Sequence, residues 1–194
     1  MKQIIPFVAF FILIGCSSNS DCFECYLEQH PKESKNAIKD LHSSFENFLE
    51  LNFPESQNTP ERLQAYCTKL IANPDFIENI SLKETQGIIE DYNKSGLKEE
   101  FRDWGNNTVN PSGLYFSAQR NCLEFDSSDS LVYNYLNAYE VAGDISPVVF
   151  VEYIANEKDL TKLANRMLQH QFIAEYFIPR ILNKNVAQQQ INPS

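Results

Sequence analysis

Cys22 and Cys25 are the first side chains in this chain whose types and spacing could do chemistry. A Cys-x-x-Cys pair at a helix start supports thiol–disulfide exchange, but in redox proteins of that kind it sits in a β-α-β pattern. No strand pattern precedes this pair, so a disulfide, local or between chains, is the favoured reading. With His30 the pair could contribute to a zinc site, but a structural zinc site wants four ligands and no second pair stands at a fitting distance. Cys67 and Cys122 each fall on the apolar face of a predicted helix. Either they pair, stapling two helices, or they are inert buried thiols. The pairing is preferred, and it would stabilise by about 2–4 kcal/mol.

Other candidates are few. The histidines are His30, His42 and His170. His42 stands one position off the apolar face of the first predicted helix and reads as solvent-facing. His170, between Gln169 and Gln171, reads as a boundary residue. H-E-x-x-H, G-x-S-x-G, the P-loop and G-x-G-x-x-G are all missing from the sequence. No catalytic residue and no metal ligand is therefore assigned. Glu99, Glu100 and Asp103, with Lys98 and Arg102, read as a solvated helix face. Trp104, beside an Asn-rich loop at 105–111, is the candidate exposed binding aromatic, although core burial is the commoner fate of a lone tryptophan.

The element that places all of these comes first in the chain. Lys2 is followed by residues 4–14, uncharged and apolar apart from Pro6, and then by the small Gly15. That is a charged n-region and an apolar h-region. The run is well short of the ~20 residues a spanning helix needs. Leu13-Ile14-Gly15-Cys16 resembles the lipobox of bacterial lipoprotein signal peptides. The resemblance implies a diacylglyceryl thioether on Cys16 and cleavage between Gly15 and Cys16. The covalent lipid on Cys16 is then the anchor to a membrane, and no other cofactor is expected. Two or more acyl chains suffice for stable attachment, where one is marginal. The expected location is the bacterial cell envelope, at the outer membrane. Ser20-Asp21-Cys22-Phe23-Glu24 is similar to a short acidic surface-export signal of Bacteroidota lipoproteins, with Cys22 where that signal has Asp. Asp129-Ser130-Leu131 resembles an O-glycosylation motif of the same group, though a helix N-cap also explains Asp or Ser there.

These readings divide the chain into a signal peptide (1–15), a flexible lipidated tether (16–33), a helical domain (34–183) and a polar tail (184–194). Removing residues 1–15 takes away Lys2 and moves the formal net charge from -10 to -11. An acidic surface disfavours nucleic acid and anionic headgroups. Fourteen Phe and nine Tyr are enough for a core that needs no disulfides to compensate for size.

Helical spacing recurs along the domain. Ile38, Leu41, Phe45 and Phe48 mark a helix over 34–51. Thr59-Pro60 opens a second, with Leu63, Tyr66, Cys67, Leu70 and Ile71 on one face. Phe76, Ile77 and Ile80 form a packed linker. Ser81 and Glu84 make a capping box for a third helix, which Gly96 terminates. Further helices follow at 112–125 and around Val132, Leu136 and Tyr139. Ser146-Pro147 starts the next, whose residues 148–154 are apolar nearly all round and hence central. The last and longest begins near Glu157, and Pro179 is expected to kink or end it. With strand signals nearly absent, the fold class is all-α, an irregular bundle of about six or seven helices behind the tether. The function expected is that of a membrane-anchored, non-enzymatic protein- or glycan-interaction module. An immunity- or inhibitor-type lipoprotein and an envelope enzyme with a dispersed site are the alternatives.

Overall fold

The computed structural model describes residues 22–98, 102–103, 108–109, 114–123, 131–142, 146 and 148–183. Helices there run in the order α1 (Cys22–Glu28), α2 (Lys32–Asn52), α3 (Thr59–Ala72), α4 (Leu82–Ser95), α5 (Leu114–Leu123), α6 (Leu131–Ala142), α7 (Val148–Asn156), α8 (Leu160–Leu163) and α9 (Arg166–Phe172). A 3-10 turn, Pro74–Asn79, follows α3. The fold is all-α, as its periodicities predict. One short antiparallel ribbon is added, pairing Arg102 with Val109 and Asp103 with Thr108.

Local rules set several helix ends. The Ser81 hydroxyl accepts from the Glu84 N–H, and the Glu84 carboxylate accepts from the Ser81 N–H, so two otherwise orphaned donors are satisfied at the start of α4. Gly96 ends α4 at φ 77°, a left-handed cap that costs a side-chain-free residue little. At α3 the cap is Asn58 rather than Thr59: its Oδ1 accepts from the Glu61 N–H at 3.0 Å, and Thr59 is already helical.

Packing then overrules some of the periodicity. The most extensive contacts are α2 against α4 and α3 against α7. On α2, Ala37, Ile38, Leu41, His42, Phe45, Phe48 and Leu49 are all buried. Ile71, expected on the apolar stripe of α3, is half exposed, because that stripe is spent by Leu70. Residues 148–154, expected to be central because they are apolar nearly all round, bury Phe150, Val151 and Ile154 but leave Val148 and Val149 facing out.

The central element is α9. With the π turn that follows it, the chain is enclosed without interruption from Met167 to Ile178. The expected single long helix from Glu157 is in fact two. α8 ends at Ala164, and the Asn165 side chain accepts from the N–H groups of Met167 and Leu168 to start α9 afresh. Pro179 neither ends nor stops this helix, since residues 178–183 continue helical. The reason lies just before it. Ile173–Phe177 is a π turn in which the Ile178 N–H donates to the Ile173 carbonyl. The wider turn accommodates a proline ring that would otherwise clash with the carbonyl four residues back.

The N-terminal boundary is the largest correction. Residues 22–33 are not tether. α1 is part of the core, with Phe23, Tyr26 and Leu27 fully enclosed. Its short length hid it from periodicity, since seven residues make fewer than two full turns of pattern. Residues 16–21, the signal-peptide and lipobox residues with Gly15 and Cys16, the 184–194 tail, Asp129 and Trp104 lie outside the described residues.

Candidate functional site

Three elements bring the histidines together where α1 meets α2 and α9. His42 comes from the middle of α2, His170 from α9, and His30 from the turn after α1. His42 Nε2 stands 3.1 Å from His170 Nδ1, and His170 Nε2 stands 3.0 Å from the Tyr26 hydroxyl. The two imidazoles lie nearly parallel, with centroids 5.3 Å apart and planes 11° off. The Tyr26 ring meets His30 edge-on at 4.6 Å. Phe23 closes the cluster, 4.5 Å from His42, and the Arg166 guanidinium covers its ring at 4.8 Å.

His42, expected to face solvent, is 1 % exposed, and His170, read as a boundary residue, is 0 % exposed. His42 was misread by one position. It lies four residues after Ile38, three before Phe45 and seven before Leu49, which is itself a helical face. The stripe is wider than an apolar-only count shows, because α1 and α9 cover its flank.

Burial sets the protonation. It holds His42 well below the usual imidazole value, with His170 and the Arg166 guanidinium adding to the cost of charge. Burial pushes His170 down to about 3, with His30 and Arg166 contributing in the same sense. His30 is lowered by burial too. At neutral pH the cluster is therefore uncharged. Two proton arrangements satisfy it. In one, Tyr26 donates to His170 Nε2 and His170 Nδ1 donates to His42 Nε2. In the other, His42 Nε2 donates to His170 Nδ1 and His170 Nε2 donates to the Tyr26 oxygen. Chemically this is a neutral, buried hydrogen-bonded relay. Mechanically it ties α1 and α2 to α9, across 144 and 128 residues of sequence.

Other polar groups on α9 and the π turn after it are buried in the same manner. Gln169 donates to the Leu163 carbonyl at 2.8 Å, and Glu175 accepts a short hydrogen bond from Tyr135 on α6. The Gln171 amide is fully enclosed and makes no hydrogen bond among the described residues.

The cysteines do not pair as expected. Cys25 of α1 is bonded to Cys122 of α5, with Cα atoms 5.7 Å apart and 97 residues between them. The preferred Cys67–Cys122 staple is not formed, and neither is a local Cys22–Cys25 bridge. Cys67 keeps a free, buried thiol. Cys67 does lie on the buried face of α3, and burial raises its thiol well above the ordinary value, which makes it unreactive. The bridge also removes Cys25 from any zinc set with Cys22 and His30. Among the described residues, no group of three His, Cys, Asp or Glu side chains could hold a metal ion.

On the surface, a shallow depression of about 300 Å³ is lined by Tyr153, Asn156, Glu157 and Lys158. The Asp159 N–H and the Tyr153 hydroxyl hold the Glu157 carboxyl down at about 2, and burial with that same contact raises Tyr153 to about 12. These shifts describe a closed local network, with each group already bonded inside the chain. Among the described residues, Leu51 and Val141 are the most exposed large apolar side chains, at 73 % and 89 %. No helix among the described residues is long and apolar enough to cross a membrane. Comparison of the chain with protein-family models, with curated proteins and with solved structures finds no match.

Proposed function

We propose that this chain is a lipoprotein held in a bacterial envelope membrane through Cys16, at the outer membrane, and that its helical domain is a non-enzymatic interaction module for a protein or glycan partner. The observation that carries the reading is Leu13-Ile14-Gly15-Cys16 directly behind an apolar run with a positive start. The Cys25–Cys122 bridge agrees with it, because disulfides persist in oxidising, exported compartments. So does the position of α1, whose first residue follows Cys16 by six positions. Six extended residues span at most about 20 Å, so an anchored domain sits close to the bilayer. The exposed apolar residues Leu51, Ile71, Val141, Val148 and Val149 and the acidic surface are where a partner would be met.

Metabolic labelling with a fatty-acid analogue tests the anchor. The unmodified chain takes up label and partitions with membranes. Cys16→Ser does neither and leaves an uncleaved precursor or a released protein. Label persisting in Cys16→Ser would refute the assignment.

A further inference from the structure

α1 runs antiparallel to the first half of α2. Glu28 pairs with Lys35, Glu24 pairs with Lys39 at 3.1 Å, and the Phe23 ring lies 4.5 Å from that of His42. Followed back toward its first residue, α1 therefore meets α2 ever nearer its C-terminus. The first residue of α1 thus faces the end of the molecule at which α2 stops. From His42 to Leu51 is nine residues of helix, or about 14 Å of rise. The six residues between Cys16 and α1 span at most about 20 Å. A group carried on Cys16 can therefore reach the end of α2.

Two aliphatic side chains stand in the open there. Leu51 is 73 % exposed and Ile71 is 50 % exposed. Leu51 is two residues from Phe53, Ile71 is two residues from Lys69, and Phe53 and Lys69 meet. The Lys69 ammonium lies 5.5 Å from the Phe53 ring centre and 4.0 Å from that of Phe76. The two rings stand edge to face at 6.2 Å. This end of the molecule thus offers exposed aliphatic chains, aromatic rings set behind them and an exposed cation on a long stem. A membrane–water interface suits each part. Aliphatic groups enter the acyl boundary, aromatic rings sit at headgroup level, and a lysine stem bends back so that its charge meets phosphate. Glu50, Glu55 and Asp75 belong to the same segments and disfavour anionic headgroups, so zwitterionic ones fit.

We propose, resting on the lipidation of Cys16 argued above, that the end of the domain bearing Leu51, Phe53, Lys69, Ile71 and Phe76 seats on the zwitterionic phospholipid surface that holds the anchor. The lipid alone fixes distance from the bilayer. The second contact fixes which way the domain stands on it, and it leaves Val141, Val148 and Val149 for the partner.

The test uses the full lipidated chain reconstituted into vesicles of phosphatidylcholine and phosphatidylethanolamine, with and without bromine on the phosphatidylcholine acyl chains. Flotation is read first. Tryptophan is then placed at one position at a time, as Leu51→Trp, Ile71→Trp or Glu33→Trp, the last at the opposite end of α2. Quenching by the brominated chains is taken beyond that of the unsubstituted protein, whose single tryptophan is Trp104. The expected result is quenching of Leu51→Trp and Ile71→Trp about threefold that of Glu33→Trp, because only the first two reach the acyl boundary. Either of the two exposed sites decides the matter if the other variant fails to fold. Floating protein with equal quenching at all three positions, or with none, overturns the proposal while leaving the anchor standing, and assigns this end to a protein partner instead. Protein that does not float overturns both the seating and the lipoprotein reading beneath it.

Discussion

Mild acid should destabilise this protein through two side chains. In the native state His42 and His170 are held neutral, with His170 at about 3 and His42 also well below its usual value. In the unfolded chain each titrates near 6.5. The unfolded state therefore binds protons first, and the stability these groups contribute is complete above about pH 6.5 and is lost as pH falls toward the native values. At pH 5.5 one such histidine costs RT ln(1 + 10), or about 1.4 kcal/mol relative to neutral pH, and the pair costs about 3 kcal/mol. His30 is shifted in the same direction and adds a smaller amount. Against a typical net stability of roughly 5–15 kcal/mol this is a large fraction. The window also isolates the histidines. Glu28 and Glu157 have carboxyl values lowered by their contacts, so what they contribute is present above about pH 4.5 and is lost only below it. The assay is urea unfolding followed by far-UV circular dichroism at pH 7.5, 6.5 and 5.5. The double variant His42→Gln, His170→Gln cannot titrate there and should show a flattened pH dependence even if its stability is lower throughout. An unfolding midpoint that does not move between pH 7.5 and 5.5, or a double variant with the same slope, would refute the reasoning.

The remaining expectations concern single contacts. Replacing Cys25 and Cys122 together by alanine releases a loop of 97 residues and should lower the unfolding free energy by about 4–5 kcal/mol, read from urea curves with and without reductant. Tyr26→Phe keeps the ring packing but leaves a buried imidazole nitrogen of His170 without its hydroxyl. It should cost about 1–3 kcal/mol, where a surface tyrosine changed alike would cost nearly nothing. Gln171→Met replaces an enclosed amide that makes no hydrogen bond among the described residues with an apolar chain of similar length. It should stabilise by roughly 1–2 kcal/mol, and a loss of stability would show that the amide has a partner.

What could be read in the chain was local. Helix starts and stops follow from neighbours a few residues apart. The Ser81–Glu84 box, the Gly96 cap, the expected apolar residues of α2 and α6 and, apart from Ile71, those of α3 stand where local rules put them. Asn165 was an equally local cap, missed because the apolar stripe on either side looked continuous. α1 was missed because its seven residues hold too little pattern, and because a polar stretch just before it made it resemble a tether.

By itself, then, the sequence determined where the backbone must be helical, because capping and i,i+4 bonding are settled within a turn. It determined too that cysteines and histidines were few enough for each to matter. Only tertiary structure decided which of them meet. His42 and His170 are 128 residues apart, Tyr26 and His170 are 144 apart, and Cys25 finds Cys122 across 97. No local rule reaches that far. Those meetings follow from which face each helix buries against which neighbour, and that is set by packing the whole core at once.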